Sequence, residues 1–257
     1  MSDLTLTIIM PALNEEKNLK FAISNALSSL NDYNIRGELL CIDDGSKDST
    51  LLIMKEWQEK DNRIRIISHE TPRGFGASFW AGVMEAKMDA VVVIPGDNEN
   101  DPWEILRYFF LLNHVDIVIP FVYNSNVRSI FRRFLSFTYR TIINFTFKTN
   151  LNYTNGTILY RSSVIKTLTY QSNSFFFQTD ILIRLTKNGY LFAEVPYRIE
   201  NRENGISKAV SFPSLLKVIK GYFKLIKDQY NKIDSSPHSD NSLTYKRYNE
   251  KNSKFIN

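Results

Sequence analysis

Through its first half the chain alternates short, wholly apolar runs with longer stretches whose apolar residues recur at helical spacing. Thr5-Leu6-Thr7-Ile8-Ile9-Met10 reads as a buried strand, and Pro11-Ala12-Leu13-Asn14 as the turn that ends it. Asn14 then stands as a helix cap with Glu15 and Glu16 in the first turn. Leu19, Ala22, Ile23, Ala26, Leu27 and Leu30 keep i, i+3, i+4 spacing behind it. The unit repeats. Leu39-Leu40-Cys41-Ile42 runs into Asp43-Asp44-Gly45-Ser46 and a helix from about Asp48. Ile64-Arg65-Ile66-Ile67 precedes a helix from about Gly74 to Met88, and Ala90 to Ile94 is a fourth strand. Asp101-Pro102-Trp103-Glu104 opens a further helix with a cap, a proline at the first helical position and a capping-box glutamate, and Asp116-Ile117-Val118-Ile119 closes the series.

This alternation predicts an α/β fold: a mostly parallel central sheet with helices on both faces and a ligand at the carboxyl ends of the strands. Past about Phe121 the rhythm breaks, and a half of α+β character is expected. Val127 to Lys148 is helical in tendency but apolar on most faces (Phe131, Phe134, Leu135, Phe137, Ile142, Ile143, Phe145, Phe147), with arginines near its start. Two readings stay open, a core helix and a helix lying on a membrane surface. A helix from about Phe176 to Lys187, a strand from about Tyr190 to Val195 and an amphipathic helix from about Pro213 to Tyr230 follow. Residues 1–120 form one half and 121–232 the second half of the same domain. The polar stretch 233–257 is expected to be a mobile tail.

At 257 residues and 43% hydrophobic content the chain can bury a sizeable core. Its one cysteine, Cys41, excludes an internal disulfide framework and fits a reducing compartment. The N-terminus carries no signal-peptide pattern, and no run approaches the roughly 18–20 apolar residues of a membrane span. A cytoplasmic protein is expected, with peripheral contact at the inner face of the cell membrane left open. The formal charge of +5 is unevenly placed: Ile117 to Thr179 holds no Asp or Glu, while Arg128, Arg132, Arg133, Arg140, Lys148, Arg161 and Lys166 all fall there. An anionic partner or a solvated basic face accounts for it, and no nucleic acid is implied.

Three acidic loops fall at the expected ligand edge: Asn14-Glu15, Asp43-Asp44, and Asp97 with Glu99. Taken singly they are a helix cap and two turns. Clustered carboxylates repel, and a divalent cation with a hydroxyl-rich nucleotide relieves that repulsion. A receiver domain is excluded, since Ser68-His69-Glu70 offers no aspartate after the third strand. A dinucleotide-binding dehydrogenase is excluded by the lack of glycine in Pro11-Ala12-Leu13-Asn14.

Pro11-Ala12-Leu13-Asn14-Glu15, Cys41-Ile42-Asp43-Asp44-Gly45-Ser46-Lys47-Asp48-Ser49-Thr50, and Arg73-Gly74-Phe75-Gly76-Ala77 with Gly82 resemble the opening motifs of family 2 glycosyltransferases. The closest likeness is to the dolichol-phosphate or polyprenyl-phosphate sugar transferases, and it extends from about Thr5 to about Lys208. The resemblance implies a GT-A fold with a Rossmann-like nucleotide half. It also implies an inverting transfer from a UDP- or GDP-linked sugar to a polyprenyl phosphate or a saccharide in cell-surface glycan synthesis. Pro11, Ala12, Asn14 and Glu15 would line the nucleotide pocket, Asp43 and Asp44 would meet base or ribose, and Arg73 and Gly74 would lie near the donor.

The family commonly has Asp-X-Asp after the fourth strand, where this chain has Pro95-Gly96-Asp97. Asp97 and Glu99 are the expected ligands of Mg²⁺ or Mn²⁺, with Asp97 the pivotal catalytic group. Arg128, Arg132 and Arg133 would grip the acceptor phosphate by charge-assisted forks. Asp180, in Gln178-Thr179-Asp180, is either the base that a hydroxyl acceptor requires or a helix-start carboxylate. Arg202, Ser207 and Lys208 would close over the diphosphate, or form an ordinary basic loop. Because Pro95 replaces an acid, a non-catalytic sugar-nucleotide-binding protein stays open as the alternative.

Overall fold

The computed structural model describes residues 3–127, 129–169, 172–173, 176–199, 212–230 and 239–253. Seven strands form its sheet: β1 (Leu6–Ala12), β2 (Gly37–Asp43), β3 (Ile64–Ser68), β4 (Ala90–Val93), β5 (Ile117–Val122), β6 (Leu159–Arg161) and β7 (Phe192–Tyr197). The helices are α1 (Leu19–Asp32), α2 (Thr50–Lys60), α3 (Phe75–Glu85), α4 (Pro102–Leu106), α5 (Ile130–Phe147), α6 (Ser162–Ile165), α7 (Phe177–Lys187), α8 (Phe212–Tyr230) and α9 (Leu243–Ser253).

The sheet runs β3-β2-β1-β4-β6-β5-β7, with every pairing parallel except the two that β6 makes with β4 and β5. The alternation of the pleat sends Leu6, Ile8 and Met10 of β1 to the face covered by α1 and sends Ile9 to the face covered by α3. Both faces are buried, which is why the strands read as continuous apolar runs. Gly82 lets α3 lie close on β1, since a Cβ there would come within 2.4 Å of Ile9 Cγ2.

Three expectations change. Helix α1 begins a turn later than the spacing suggested, because residues 14–18 serve the loop instead. The three-residue strand β6 gave no periodic signal and was not expected, yet it joins the two halves into one sheet. The polar stretch expected to be a mobile tail is ordered over 239–253. Asp116, fully buried at the start of β5, accepts hydrogen bonds from the Leu243 and Thr244 amides and from Thr244 Oγ1, and so caps the N-terminal end of α9. Ser239 N donates to Tyr190 Oη at 3.1 Å, and Ser242 is fully buried. Patterning could not reveal this, because the contact joins residues 128 apart and is polar.

Asp116→Ala removes those acceptors, and amide protection of α9 in hydrogen exchange should fall to that of an exposed helix while β1 and β2 stay protected. Unchanged protection of α9 would contradict the anchoring role.

Candidate active site

The strand order reverses between β1 and β4, and a crevice opens beyond their carboxyl ends at such a point. Backbone hydrogen bonds stitch the loops there: Asp44 N donates to Ala12 O at 2.9 Å, Gly96 N to Pro11 O at 3.0 Å and His69 N to Asp43 O at 2.9 Å. Gly96 packs so closely that a Cβ would stand 3.0 Å from Ala12 Cβ. With neighbouring strands about 4.8 Å apart, Pro11, Ala12, Asn14, Glu15, Asp43, Asp44 and Asp97 gather along one short edge.

Asn14 does not cap a helix, which corrects the first expectation for it. It sits in the left-handed region at φ 56°, a conformation asparagine tolerates. Its Oδ1 accepts Lys47 N at 2.9 Å while its own amide donates to Ser46 Oγ at 3.0 Å, and Glu15 N donates to Thr50 Oγ1 at 2.8 Å. The first and second loops thus clasp each other through side chains that local propensity assigns to caps and turns.

Asp43 and Asp44 are buried. Asp43 accepts from Ser46 N and Ser68 Oγ. Asp44 accepts from His69 Nδ1 at 2.9 Å, Arg73 N at 2.9 Å and Gly74 N at 2.8 Å. Burial pushes the Asp44 carboxyl up, but the hydrogen bonds from His69, Arg73 and Gly74 outweigh it and hold the group below the usual carboxylate range. The chain's own donors therefore meet much of the demand that was assigned to a cation or ligand. Asp44 fixes the backbone of Arg73 and Gly74, and the Arg73 side chain is exposed. His69, the buried partner of Asp44, gave no sign of that role in the sequence.

Asp97 is half-buried past the end of β4, with Oδ1 accepting Glu99 N at 3.0 Å. Asn98, at φ 58°, is held to α1 by Asn25 Nδ2 at 3.0 Å. Among the described residues no three His, Cys, Asp or Glu side chains form a metal cage. Asp97 and the exposed Glu99 in one tight turn fit a hard cation that takes most of its oxygen shell from a diphosphate and water.

In the second half Ile130, Arg133, Phe134, Phe137, Arg140 and Tyr153 line a groove of about 570 Å³. Val122, the last residue of β5, and Ser125 just beyond it also line it, so it opens on the carboxyl edge of the sheet like the acidic loops. Arg133 lines the groove, and Arg132 does not. Arg128, Arg202, Ser207 and Lys208 lie outside the described residues. Arg140, which sequence reasoning counted only as charge, stands two helical turns from Arg133, with its guanidinium 5.6 Å from the Phe137 ring and Nη1 donating to Asn152 O at 3.3 Å. The i, i+7 spacing on one helix face was the available signal.

Asp180 is buried and paired with Arg184, which donates from Nε at 3.0 Å and Nη2 at 3.2 Å and reaches Asp228 Oδ2 at 2.7 Å. The pair pins α7 to α8. Burial raises the Asp180 pKa against the pull of Arg184, while the hydrogen bonds from Arg184 and Lys224 outweigh burial at Asp228. A carboxylate closed off from solvent and committed to a guanidinium does not meet an incoming hydroxyl. Of the two readings of Asp180, the structure supports the structural one.

The family model described as Glycosyl transferase family 2 matches residues 7–169. The chain belongs to that family. It is 31% identical over 108 residues to a dodecaprenyl-phosphate galacturonate synthase of Rhizobium johnstonii, covering 41% of this chain and 31% of that protein. It is 29% identical over 129 residues to an undecaprenyl-phosphate 4-deoxy-4-formamido-L-arabinose transferase of Salmonella choleraesuis, covering 50% and 39%. The matches thus span about a third of the length of these curated relatives. Glucosyl-3-phosphoglycerate synthase of Mycobacterium tuberculosis, solved with uridine diphosphate, superposes with a TM-score of 0.67 at 19% identity, covering 88% of this chain and 81% of that one. The same enzyme with Mn²⁺, UDP-glucose and phosphoglyceric acid gives 0.65 at 18% identity, covering 88% and 80%. The GT-A architecture is therefore present.

Two outcomes test the site's construction. The folded-state pKa of Asp44 is depressed, so its stabilisation is complete above the ordinary carboxylate pKa of about 4 and is lost as pH falls below that. Asp44→Asn should lower Tm at pH 7 and flatten the loss of Tm below about pH 4; an acid limb parallel to wild type would refute the assignment. Asp180→Asn should cost about 3 kcal/mol in urea unfolding, the scale of a broken buried pair. Wild-type stability with abolished turnover would restore Asp180 as a base.

Proposed function

We propose that the chain transfers a sugar from a UDP- or GDP-linked donor to a polyprenyl phosphate, with inversion at the anomeric carbon, at the inner face of the cell membrane. The observation that carries this reading is the shared edge: the acidic loops at the strand switch point and the arginine-aromatic groove lie along the same carboxyl ends of the sheet. Pro11, Ala12, Glu15, Asp43 and Asp44 hold the nucleotide, and Arg73 and Gly74 border the donor. Mg²⁺ or Mn²⁺ at Asp97 and Glu99 supplies Lewis-acid stabilisation of the charge that grows on the diphosphate.

Arg133 and Arg140 orient the acceptor phosphate, and Phe134, Phe137 and Ile130 receive its first isoprene unit. An acceptor phosphate oxygen is already ionised near neutral pH. It attacks the anomeric carbon directly, the bond from that carbon to the diphosphate oxygen breaks, and its electron pair leaves with the nucleoside diphosphate. No base is required, in keeping with a buried Asp180. A saccharide hydroxyl needs a proton acceptor, and Asp180 in its ion pair is poorly placed to be one, so the phosphate is favoured. The named relatives and the nucleotide-bound neighbours support the same donor and acceptor classes. A non-catalytic binding role is the rival that assay must exclude.

Asp97→Ala should lower kcat for nucleoside diphosphate release about 100-fold or more while leaving Tm within about 2 °C. The assay uses UDP- and GDP-sugars with a short-chain prenyl phosphate and Mn²⁺, and donor binding without release by the wild-type chain would favour the non-catalytic role. Calorimetry should show tighter donor binding with Mn²⁺ than with chelator; equal affinities would refute the metal assignment.

A further inference from the structure

Surface helices of globular proteins turn their apolar stripe inward. Helix α5 does the reverse. At about 100° per residue, the arc opposite its buried Ile143 and Phe147 carries Ile130, Phe131, Phe134, Phe137 and Phe145. Ile130 is 82% exposed, Phe131 73% and Phe145 87%. The polar side chains are used elsewhere. Asn144 donates to Leu151 O, Thr146 meets Tyr222 Oη and Tyr139 meets Thr179 Oγ1.

Helix α8 repeats the pattern. Leu225 and Asp228 face inward, and Leu216, Ile219, Phe223 and Tyr230 are exposed with Lys220, Lys224 and Lys227 alongside. The two helices touch through Thr146 Oγ1 and Tyr222 Oη at 2.7 Å and through the rings of Phe147 and Tyr222. The two helices are therefore neighbours.

Charge decides what such a face meets. Helix α5 has three arginines and no acid, and the single acid of α8, Asp228, is buried against Arg184. Aromatics flanked by cations, with no exposed carboxylate on either helix, match an anionic headgroup layer over acyl chains, where lysine stems run along the apolar surface and place their charge outward. A protein partner would be expected to find rim charges of both signs.

We propose that the outward faces of α5 and α8 form a docking surface for an anionic bilayer. No described helix is long and apolar enough to cross it, and the proposed surface meets the headgroup boundary. Ile130, Phe134 and Phe137 belong both to this arc and to the groove, with Arg133 and Arg140 on the flank. Resting on the lipid-acceptor reading, the surface orients that groove: its mouth lies beside the bilayer, and the acceptor's chain stays among the acyl tails while its phosphate meets the arginines.

The test is co-sedimentation with vesicles of phosphatidylcholine alone and with added phosphatidylglycerol. The wild-type chain should bind the anionic vesicles, less so at high salt. Phe131→Ser with Phe145→Ser, and separately Lys220→Glu with Lys227→Glu, should each weaken binding about tenfold or more. Neither pair lines the groove or the crevice. Equal behaviour toward both vesicle types, wild-type binding by both variants, or a lipid-free dimer that the serine variant dissolves would overturn the proposal, the last by making a second copy the occupant. Transfer to a water-soluble short-chain prenyl phosphate separates the two claims. Intact transfer without vesicle binding removes the surface alone, and vesicle binding without transfer removes the reaction alone.

Discussion

The stitching of the loops at the switch point is the constraint on which the site depends. Pro11 O and Ala12 O, the last carbonyls of β1, accept amides from the fourth and second loops. A parallel sheet has no tight hairpins to bring its ends together, so the acidic loops meet only because β2, β1 and β4 are neighbours in register. Asn14, Ser46 and Thr50 then lock two of those loops to each other, and Asp44 locks the third through Arg73 and Gly74. Carboxylates that would repel in isolation are held in place by donors from adjoining loops, so the loop edge is preorganised by the chain itself.

Much of the fold was legible because its signals are local. Strict spacing from Leu19 to Leu30 and the apolar runs of β1, β2 and β4 each report burial of a nearby face, and Asp101 caps α4 through Trp103 N, although Glu104 bonds Arg107 and Arg198 rather than closing a capping box. What escaped was set by contacts distant in sequence. The three residues of β6 are too few to show a period, and the capping of α9 by Asp116 joins the end of the first half to the C-terminal stretch. At the site, the residue types at the strand ends were readable, but their partners were not. Asp44 reads as a ligand contact and is seen as a loop clamp, His69 carries no local signal of its bond to Asp44, and Asn14 reads as a cap but bonds Lys47 and Ser46 of the next loop. Asp180 showed why a carboxylate at a helix start cannot be assigned from its neighbours in sequence: Asp228, which completes its ion-pair triad, is 48 positions further on.

The aromatic-rich segment from 130 to 147 was ambiguous for a physical reason. Apolar residues on most faces of a helix suit a core and a membrane boundary equally, and only exposure separates them. With Ile143 and Phe147 inward and Phe131 and Phe145 outward, one helix serves the core along one stripe and leaves an apolar face exposed along the other. Its flank supplies Arg133 and Arg140 to a groove at the same carboxyl edge of the sheet as the acidic loops, which is where the proposed donor and acceptor would meet.

The most direct measurement is a crystal structure of the chain grown with uridine or guanosine diphosphate and Mn²⁺. The account predicts the nucleotide between the carboxyl ends of β1 and β4, with base or ribose against Pro11, Asp43 and Asp44 and the metal touching Asp97 and the diphosphate. A nucleotide bound at another face, or a metal held away from Asp97, would contradict it.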